Sequence, residues 1–240
     1  AAPAEFEREV QAFFQAGGCG LNVTVPFKQR AWQMARTHLS ARARDAGAVN
    51  TLWQANGHLH GCNTDGIGLV MDIERLNMPL AGANVLMVGA GGAARGVLGP
   101  LLAAGAAHIT VVNRTPVRAH ELIAQWLSTH PEDQPKLTAA SFDQAPDGAR
   151  ADLIINATSS SLAGEALPLS PTLFGPEVHA YDMMYGKAPT AFMCQAQDGG
   201  CQQIADGLGM LVGQASESFH IWHGRRPEIE PVVAQLRAQL

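Results

Sequence analysis

Apolar positions along the chain recur with two different periods. Phe6, Val10, Phe13 and Phe14 fall at helical spacing, so the chain is expected to enter a helix almost at once and leave it at Gly17-Gly18. Residues 21–25 then alternate as a strand does, and Pro26, with no N–H to donate, ends it. A short helix from Phe27 follows. Residues 48–53 and 58–61 flank Asn56-Gly57, the dipeptide best suited to a two-residue hairpin turn because both positions tolerate positive φ. From Asp65 onward, Ile67, Val70, Met71 and Leu76 mark one helix face, with Thr64 or Asp65 as its N-cap. Met78-Pro79 and Gly82 then punctuate the chain.

Beyond Gly82 the pattern changes to short apolar runs at 84–88, 108–112 and 151–156, separated by helical segments at 93–104 and 115–127. That alternation predicts an α/β chain with right-handed βαβ crossovers and a mostly parallel sheet. Thr115 is the expected N-cap of the second helix, with Pro116 at its first position, where a missing N–H costs nothing. Residues 178–182 read as a further strand, and 190–198, 211–222 and 231–240 as helices. The aromatic and methionine positions between Met210 and Trp222 are expected to pack in the core. No internal repeat is present.

Composition narrows the class. At 240 residues the chain fits one large or two modest domains, and 47% apolar against 15% charged residues argues for a compact fold over a disordered one. Lys and Arg number 16 against 21 Asp and Glu, a net charge of −5 without a basic cluster, so no nucleic-acid partner is expected. Cys19, Cys62, Cys194 and Cys201 form no Cys-x-x-Cys pair, which points away from a zinc site or disulfide scaffold and toward a cytoplasmic location. The most apolar stretch, 85–112, is broken by Arg95, His108 and several glycines, and nothing at the start resembles a signal peptide, so no membrane partner is expected. His58 and His60 alternate on a hairpin strand without a third ligand and read as surface residues; no metal is expected. Ser159, Ser160 and Ser161 lack a His-Asp arrangement and read as a loop near a ligand.

The chemistry begins where Val85-Leu86-Met87-Val88 runs into Gly89-Ala90-Gly91-Gly92-Ala93-Ala94-Arg95, a fit to G-x-G-x-x-[GA] at a strand-to-helix junction. Glycines there permit a tight turn and let a pyrophosphate approach the free N–H groups and positive end of the helix. An NAD-binding unit would offer Asp or Glu to the ribose about 20 residues later. Here the next strand ends in Asn113-Arg114-Thr115, with Arg118 following. Guanidinium groups bind a 2′-phosphate in a planar, bidentate way, so NADP is the expected cofactor. In the first part of the chain, Lys28 follows the strand-ending Pro26 and Asp65 opens a helix. An ammonium held by a carboxylate is a suitable device for exchanging a proton with a substrate hydroxyl.

Asn22-Val23-Thr24-Val25-Pro26-Phe27-Lys28, Gly47-Ala48-Val49-Asn50-Thr51, Asn63-Thr64-Asp65-Gly66, Asn113-Arg114-Thr115, Asn156-Ala157-Thr158-Ser159, Tyr181-Asp182-Met183-Met184-Tyr185 and Asp206-Gly207-Leu208-Gly209-Met210-Leu211-Val212 together resemble the shikimate dehydrogenases, in order and over nearly the whole chain. The resemblance implies NADP-dependent, reversible oxidation of shikimate to 3-dehydroshikimate. It implies Lys28 and Asp65 as the catalytic pair, and Thr24, Asn50, Asp65, Tyr185 and Gln214 as substrate-binding residues. Gly89, Ala90, Gly91, Gly92 and Ala93 would cradle the pyrophosphate. Asn113, Arg114, Thr115 and Arg118 would grip the adenosine phosphate, and Met183 and Gly207 would lie beside the nicotinamide. Two α/β domains flanking a cleft are implied: a substrate domain of residues 1–64 and 207–240, to which the C-terminal helices return, and a Rossmann-like NADP domain of residues 65–206. A monomer or homodimer is expected. Two rivals are an enzyme of broader specificity that also takes quinate and a non-catalytic NADPH-binding regulator, against which Lys28 and Asp65 count. Family members begin with a further strand and helix bearing a Ser-x-Ser loop, so the chain is expected to be an N-terminally incomplete version with weakened shikimate affinity and an exposed sheet edge.

Overall fold

The computed structural model describes residues 5–145 and 151–240. Residues 1–4, where the first expected domain begins, and 146–150 lie outside the described residues.

The opening helix α1 (Phe6–Gln15) buries Phe6, Val10 and Phe14, while Phe13, a turn-neighbour on the rim of the apolar stripe, stays 40% exposed. Strand β1 (Gly20–Asn22) is shorter than the alternation of 21–25 predicts. Val23 N–H still reaches Asn50 O at 2.7 Å, but Phe27 N–H then closes a turn onto Thr24 O at 2.9 Å, which takes Val25 out of the sheet and leaves it 75% exposed. Helices α2 (Lys28–Met34) and α3 (Ala41–Ala46) follow, α3 capped by Ser40 Oγ on Ala43 N–H. Strands β2 (Thr51–Ala55) and β3 (His58–Cys62) form the hairpin, and both turn residues take positive φ, 51° at Asn56 and 78° at Gly57. The three strands make an antiparallel sheet in the order β1-β2-β3, whose Leu52 joins a core with Phe6, Val10, Ala31 and Val49.

Helix α4 (Asp65–Arg75) leads into the second unit. There β4 (Asn84–Val88), α5 (Gly92–Ala103), β5 (His108–Val112), α6 (Pro116–Leu127), β6 (Leu137–Ala140), β7 (Leu153–Asn156), β8 (His179–Asp182), α7 (Ala191–Asp198) and β9 (Gln203–Ala205) build a six-stranded parallel sheet in the order β6-β5-β4-β7-β8-β9. Side chains alternate across it with period two: Val85 and Met87 join one apolar cluster, Leu86 and Val88 another. Both faces are therefore covered, as a parallel sheet requires. This is the expected α/β architecture of two domains, one of them Rossmann-like. Three elements escaped the periodicity: α3, β6 and β9.

Helix α8 (Leu208–His223) returns against α4 and the small sheet, and its Trp222 indole N–H donates to Leu52 O at 3.2 Å. Where α4 and α8 cross, a Cβ on Gly68 would lie 2.5 Å from Gln214 N and one on Gly213 2.8 Å from Gly68 O, so the two backbones touch. Glu217 of α8, buried, is held by Arg42 and Arg226 at 2.9 and 2.6 Å. Helix α9 (Glu230–Arg237) lies along the seam, its Glu230 on Arg75 and its Arg237 on Asp206. Among the described residues no helix is long and apolar enough to cross a membrane.

Candidate active site

Parallel strands end together, and the crevice beyond their carboxyl ends is where open α/β sheets take ligands. Two cavities open there. One, of about 380 Å³, lies against the small sheet and is lined by every residue expected for substrate and nicotinamide: Thr24, Lys28, Asn50, Asp65, Tyr185, Gln214, Met183 and Gly207. Asn22, Val23, Met210 and Leu211 complete its wall. Met210 is thus a lining residue as well as a packing one, and Leu211 is 38% exposed.

Asp65 is aimed from both sides. Its Oδ2 accepts from Lys28 Nζ at 2.6 Å and its Oδ1 from Asn50 Nδ2 at 2.9 Å, while its side chain and that of Lys28 remain 22% and 26% exposed. The expected cap of α4 by Thr64 or Asp65 is replaced: Asn63 Oδ1 accepts the Asp65 N–H at 3.1 Å, and Thr64 makes no side-chain cap bond. Thr64 is otherwise engaged, because its N–H and hydroxyl both donate to Asn50 Oδ1, at 2.9 and 3.1 Å. Thr51 Oγ1 donates to the same oxygen at 2.9 Å. With its oxygen so saturated, the Asn50 carboxamide can only present N–H groups to Asp65 and to Gln214 Oε1, 3.2 Å away. Ser218 of α8 anchors the base of this cluster, in contact with Asn22 Nδ2 at 3.0 Å and Thr51 Oγ1 at 2.7 Å. Nothing in the local sequence marks Ser218, whose partners lie 196 and 167 residues away.

The second cavity, of about 560 Å³, is lined by Gly89, Ala90, Gly91, Gly92, Ala93, Asn113, Arg114 and Arg118, with Thr158, Ser159, Ser160 and Met184 on another side. Gly89 has φ 111° and a Cβ there would lie 2.9 Å from Thr158, so the turn needs glycine. At Gly91 and Gly92, in contrast, an added Cβ would meet no protein atom within 4 Å and would instead fill the cavity at the N-terminus of α5. Bare backbone facing open space at a helix start suits a pyrophosphate. Arg114 and Arg118 have no ion-pair partner among the described residues, and Glu165 is the carboxylate on the same lining. The residues present therefore fit a dinucleotide with an extra phosphate. Thr115 does not line the cavity. Nor does its side chain cap α6: its carbonyl accepts from Asn113 Nδ2 at 2.9 Å, and its hydroxyl makes no cap bond.

Elsewhere, His58 and His60 gain a companion that sequence spacing hid. The His38 ring stacks on His58 at 4.4 Å between centroids and lies 4.9 Å from His60, which in turn stacks on Trp53 at 5.2 Å. Among the described residues no group of three or more His, Cys, Asp or Glu is arranged to hold a metal.

Comparison with known proteins agrees with this geometry. Residues 1–52 match the family profile described as shikimate dehydrogenase substrate binding domain, 73–163 that of shikimate / quinate 5-dehydrogenase, and 207–237 that of the shikimate 5′-dehydrogenase C-terminal domain. A shikimate dehydrogenase (NADP(+)) of Bordetella petrii is 57% identical over 235 residues, 98% of this chain and 82% of the relative. One from Cellvibrio japonicus is 49% identical, with 98% and 83% covered. Among solved structures, an Ael1 enzyme from Pseudomonas putida superposes with a TM-score of 0.90 at 40% identity, covering 98% of this chain and 84% of that one. Shikimate 5-dehydrogenase from Thermus thermophilus, in complex with NADP(H) and shikimate, gives 0.84 at 32% identity, covering 100% and 86%. Identity of this extent, spread over the strands, loops and helices that frame both cavities, makes the chain a member of the NADP-dependent shikimate dehydrogenase family.

Proposed function

We propose that the chain interconverts shikimate and 3-dehydroshikimate, with Lys28 and Asp65 handling the proton of the reacting hydroxyl. The observation that carries this reading is the 2.6 Å contact between Lys28 Nζ and Asp65 Oδ2 on the wall of a cavity whose lining also includes Met183 and Gly207. NADP, when bound, supplies the hydride acceptor in one direction and the donor in the other. Asp65 takes the proton as the hydroxyl becomes a carbonyl, while the Lys28 ammonium, held against Asp65, steadies the developing alkoxide. In the reverse direction Asp65 returns the proton to the alkoxide that Lys28 steadies. Asn50 fixes the second oxygen of Asp65, so the carboxylate cannot turn away from Lys28. Thr24, Asn50, Tyr185 and Gln214 hold the remaining hydroxyls and the substrate carboxylate.

On the same reading the pyrophosphate rests on Gly89 to Ala93, Arg114 and Arg118 bind the 2′-phosphate, and Asn113 borders the adenosine, while Thr115 only holds the Asn113 side chain through its carbonyl. Residues 1–64 with 207–240 act as the substrate domain and 65–206 as the NADP domain. The protein works in the cytoplasm, as a monomer or homodimer, and on small molecules. Lys28→Ala decides the mechanism. NADPH formation from shikimate, followed by the absorbance of the reduced nicotinamide, should fall about 100-fold or more while NADPH binding is kept; full turnover would overturn it. Running quinate beside shikimate measures the breadth of specificity.

A further inference from the structure

One buried carboxylate has no part in the chemistry above, yet it stands between the two cavities. Asp182, the last residue of β8, is fully buried. Its Oδ1 accepts from Asn156 Nδ2 at 3.1 Å and from Met184 N–H at 3.0 Å, and its Oδ2 from Ser161 Oγ and Thr190 Oγ1, both at 2.6 Å. These donors come from separate segments: the end of β7, the loop beyond it, the loop after β8 and the cap of α7. A carboxylate offers acceptors alone, and every group aimed at it is a donor, so the arrangement is complete as it stands. The loop after β7 lines the cofactor cavity through Thr158 and Ser160, and the loop after β8 lines it through Met184 and the substrate cavity through Met183 and Tyr185.

We propose that Asp182 is a positioning residue that sets the loops after β7 and β8 against each other, so that the nicotinamide end of the dinucleotide is held in register with the substrate. It touches neither ligand. Its effect falls chiefly on the nicotinamide end, because Arg114 and Arg118, which hold the 2′-phosphate at the other end, do not donate to this carboxylate. The proposal rests on the assignment of the two cavities given above.

Asp182→Asn keeps the volume but replaces one acceptor with an N–H donor among donors, which weakens the bonds to Ser161 and Thr190 or sets a nitrogen against Asn156 and Met184 N–H. Ser161→Ala removes the bond to Asp182 Oδ2 together with the one that Ser161 Oγ accepts from Asn156 Nδ2 at 3.1 Å, and leaves Asp182 its three other donors. In Asp182→Asn, kcat should fall about 10-fold to 100-fold. The dissociation constant for NADPH, read from its fluorescence, should rise about 10-fold, while that for adenosine 2′,5′-bisphosphate changes less than about twofold. Ser161→Ala should show the same split, smaller. Parallel weakening of NADPH and of the bisphosphate, or no change in either variant, would overturn the proposal. Unimpaired turnover in Lys28→Ala would instead strike the proton-transfer assignment and leave this inference standing.

Discussion

Gly207 offers a severe test of how the site is assembled. It precedes α8 and donates its N–H to Met184 O at 3.0 Å, which draws the start of α8 against the loop after β8. A Cβ placed there would sit 2.2 Å from Met183 O and 2.7 Å from Met183 C. Ordinary contact begins at 3.4 Å, so the two segments must separate by about 1.2 Å, the difference of the two distances. Both obstacles are backbone, and no rotamer can relieve them. Overpacking of this kind costs about 1–3 kcal/mol. The displaced atoms flank the substrate cavity on both sides, and a misplacement of about 1 Å at a reacting centre costs on the order of 10²-fold in rate. Gly207→Ala should therefore lower the unfolding free energy read from urea titration by that amount and lower kcat disproportionately, with KM for NADP less affected. Urea titration and steady-state kinetics on the same preparation read both. Wild-type stability and kcat together would refute the argument, since the contact leaves no room for a silent methyl.

Other outcomes follow from the same structure. Replacing Arg114 and Arg118 with Ala should raise KM for NADP by about 10-fold to 100-fold, the loss of charge-assisted bonds of about 1.5–3 kcal/mol, and leave KM for NAD nearly unchanged; parallel assays with both cofactors check it. Partial desolvation of His38, with His58 and His60 beside it, lowers its pKa below the usual 6.5. The unfolded chain then takes up a proton that the folded one resists, so thermal stability should decline as pH falls below about 6.5, and His38→Gln should flatten that limb of a melting-temperature profile. Burial raises the Glu217 pKa, but hydrogen bonds from Arg226 and Arg42 outweigh it and leave the carboxyl below its ordinary 4.5. Its stabilisation is therefore present above about 4.5 and lost as pH falls through the lower folded value, so Glu217→Gln should lower the melting temperature at neutral pH and converge with the parent in acid.

What could be read from the sequence was local. The Asn56-Gly57 turn, the glycine loop before α5 and the apolar runs of β4, β5 and β7 each carry their signal within a few residues. Strands β6 and β9 do not: they have four and three residues and lie at the two edges of the parallel sheet, where short, half-covered strands need little apolar pattern. Helix α3, six residues with Ala43 and Ala46 buried, is too short to display a period. The same divide runs through the site. Lys28, Asp65 and the glycines sit in recognisable motifs, whereas the contacts of Ser218 span up to 196 residues and those of Asp182, itself inside a motif, up to 26, and both emerge only when the chain is folded. Thr64 and Thr115 resemble caps in isolation, but Asn63 caps α4 in place of the first, and the second makes no cap bond.

The glycine crossing of α4 and α8 has a bearing on motion. Backbones pressed together at Gly68 and Gly213 leave no side-chain layer that could slide, so the two helices should open and close to solvent as one cooperative unit in hydrogen exchange. Asp65 rides on one and Gln214 on the other, 149 positions apart in the chain yet mechanically a single piece. The floor of the substrate cavity is then preformed before any ligand arrives, and adjustment to the ligand falls to the exposed lip, where Tyr185 and Leu211 stand free.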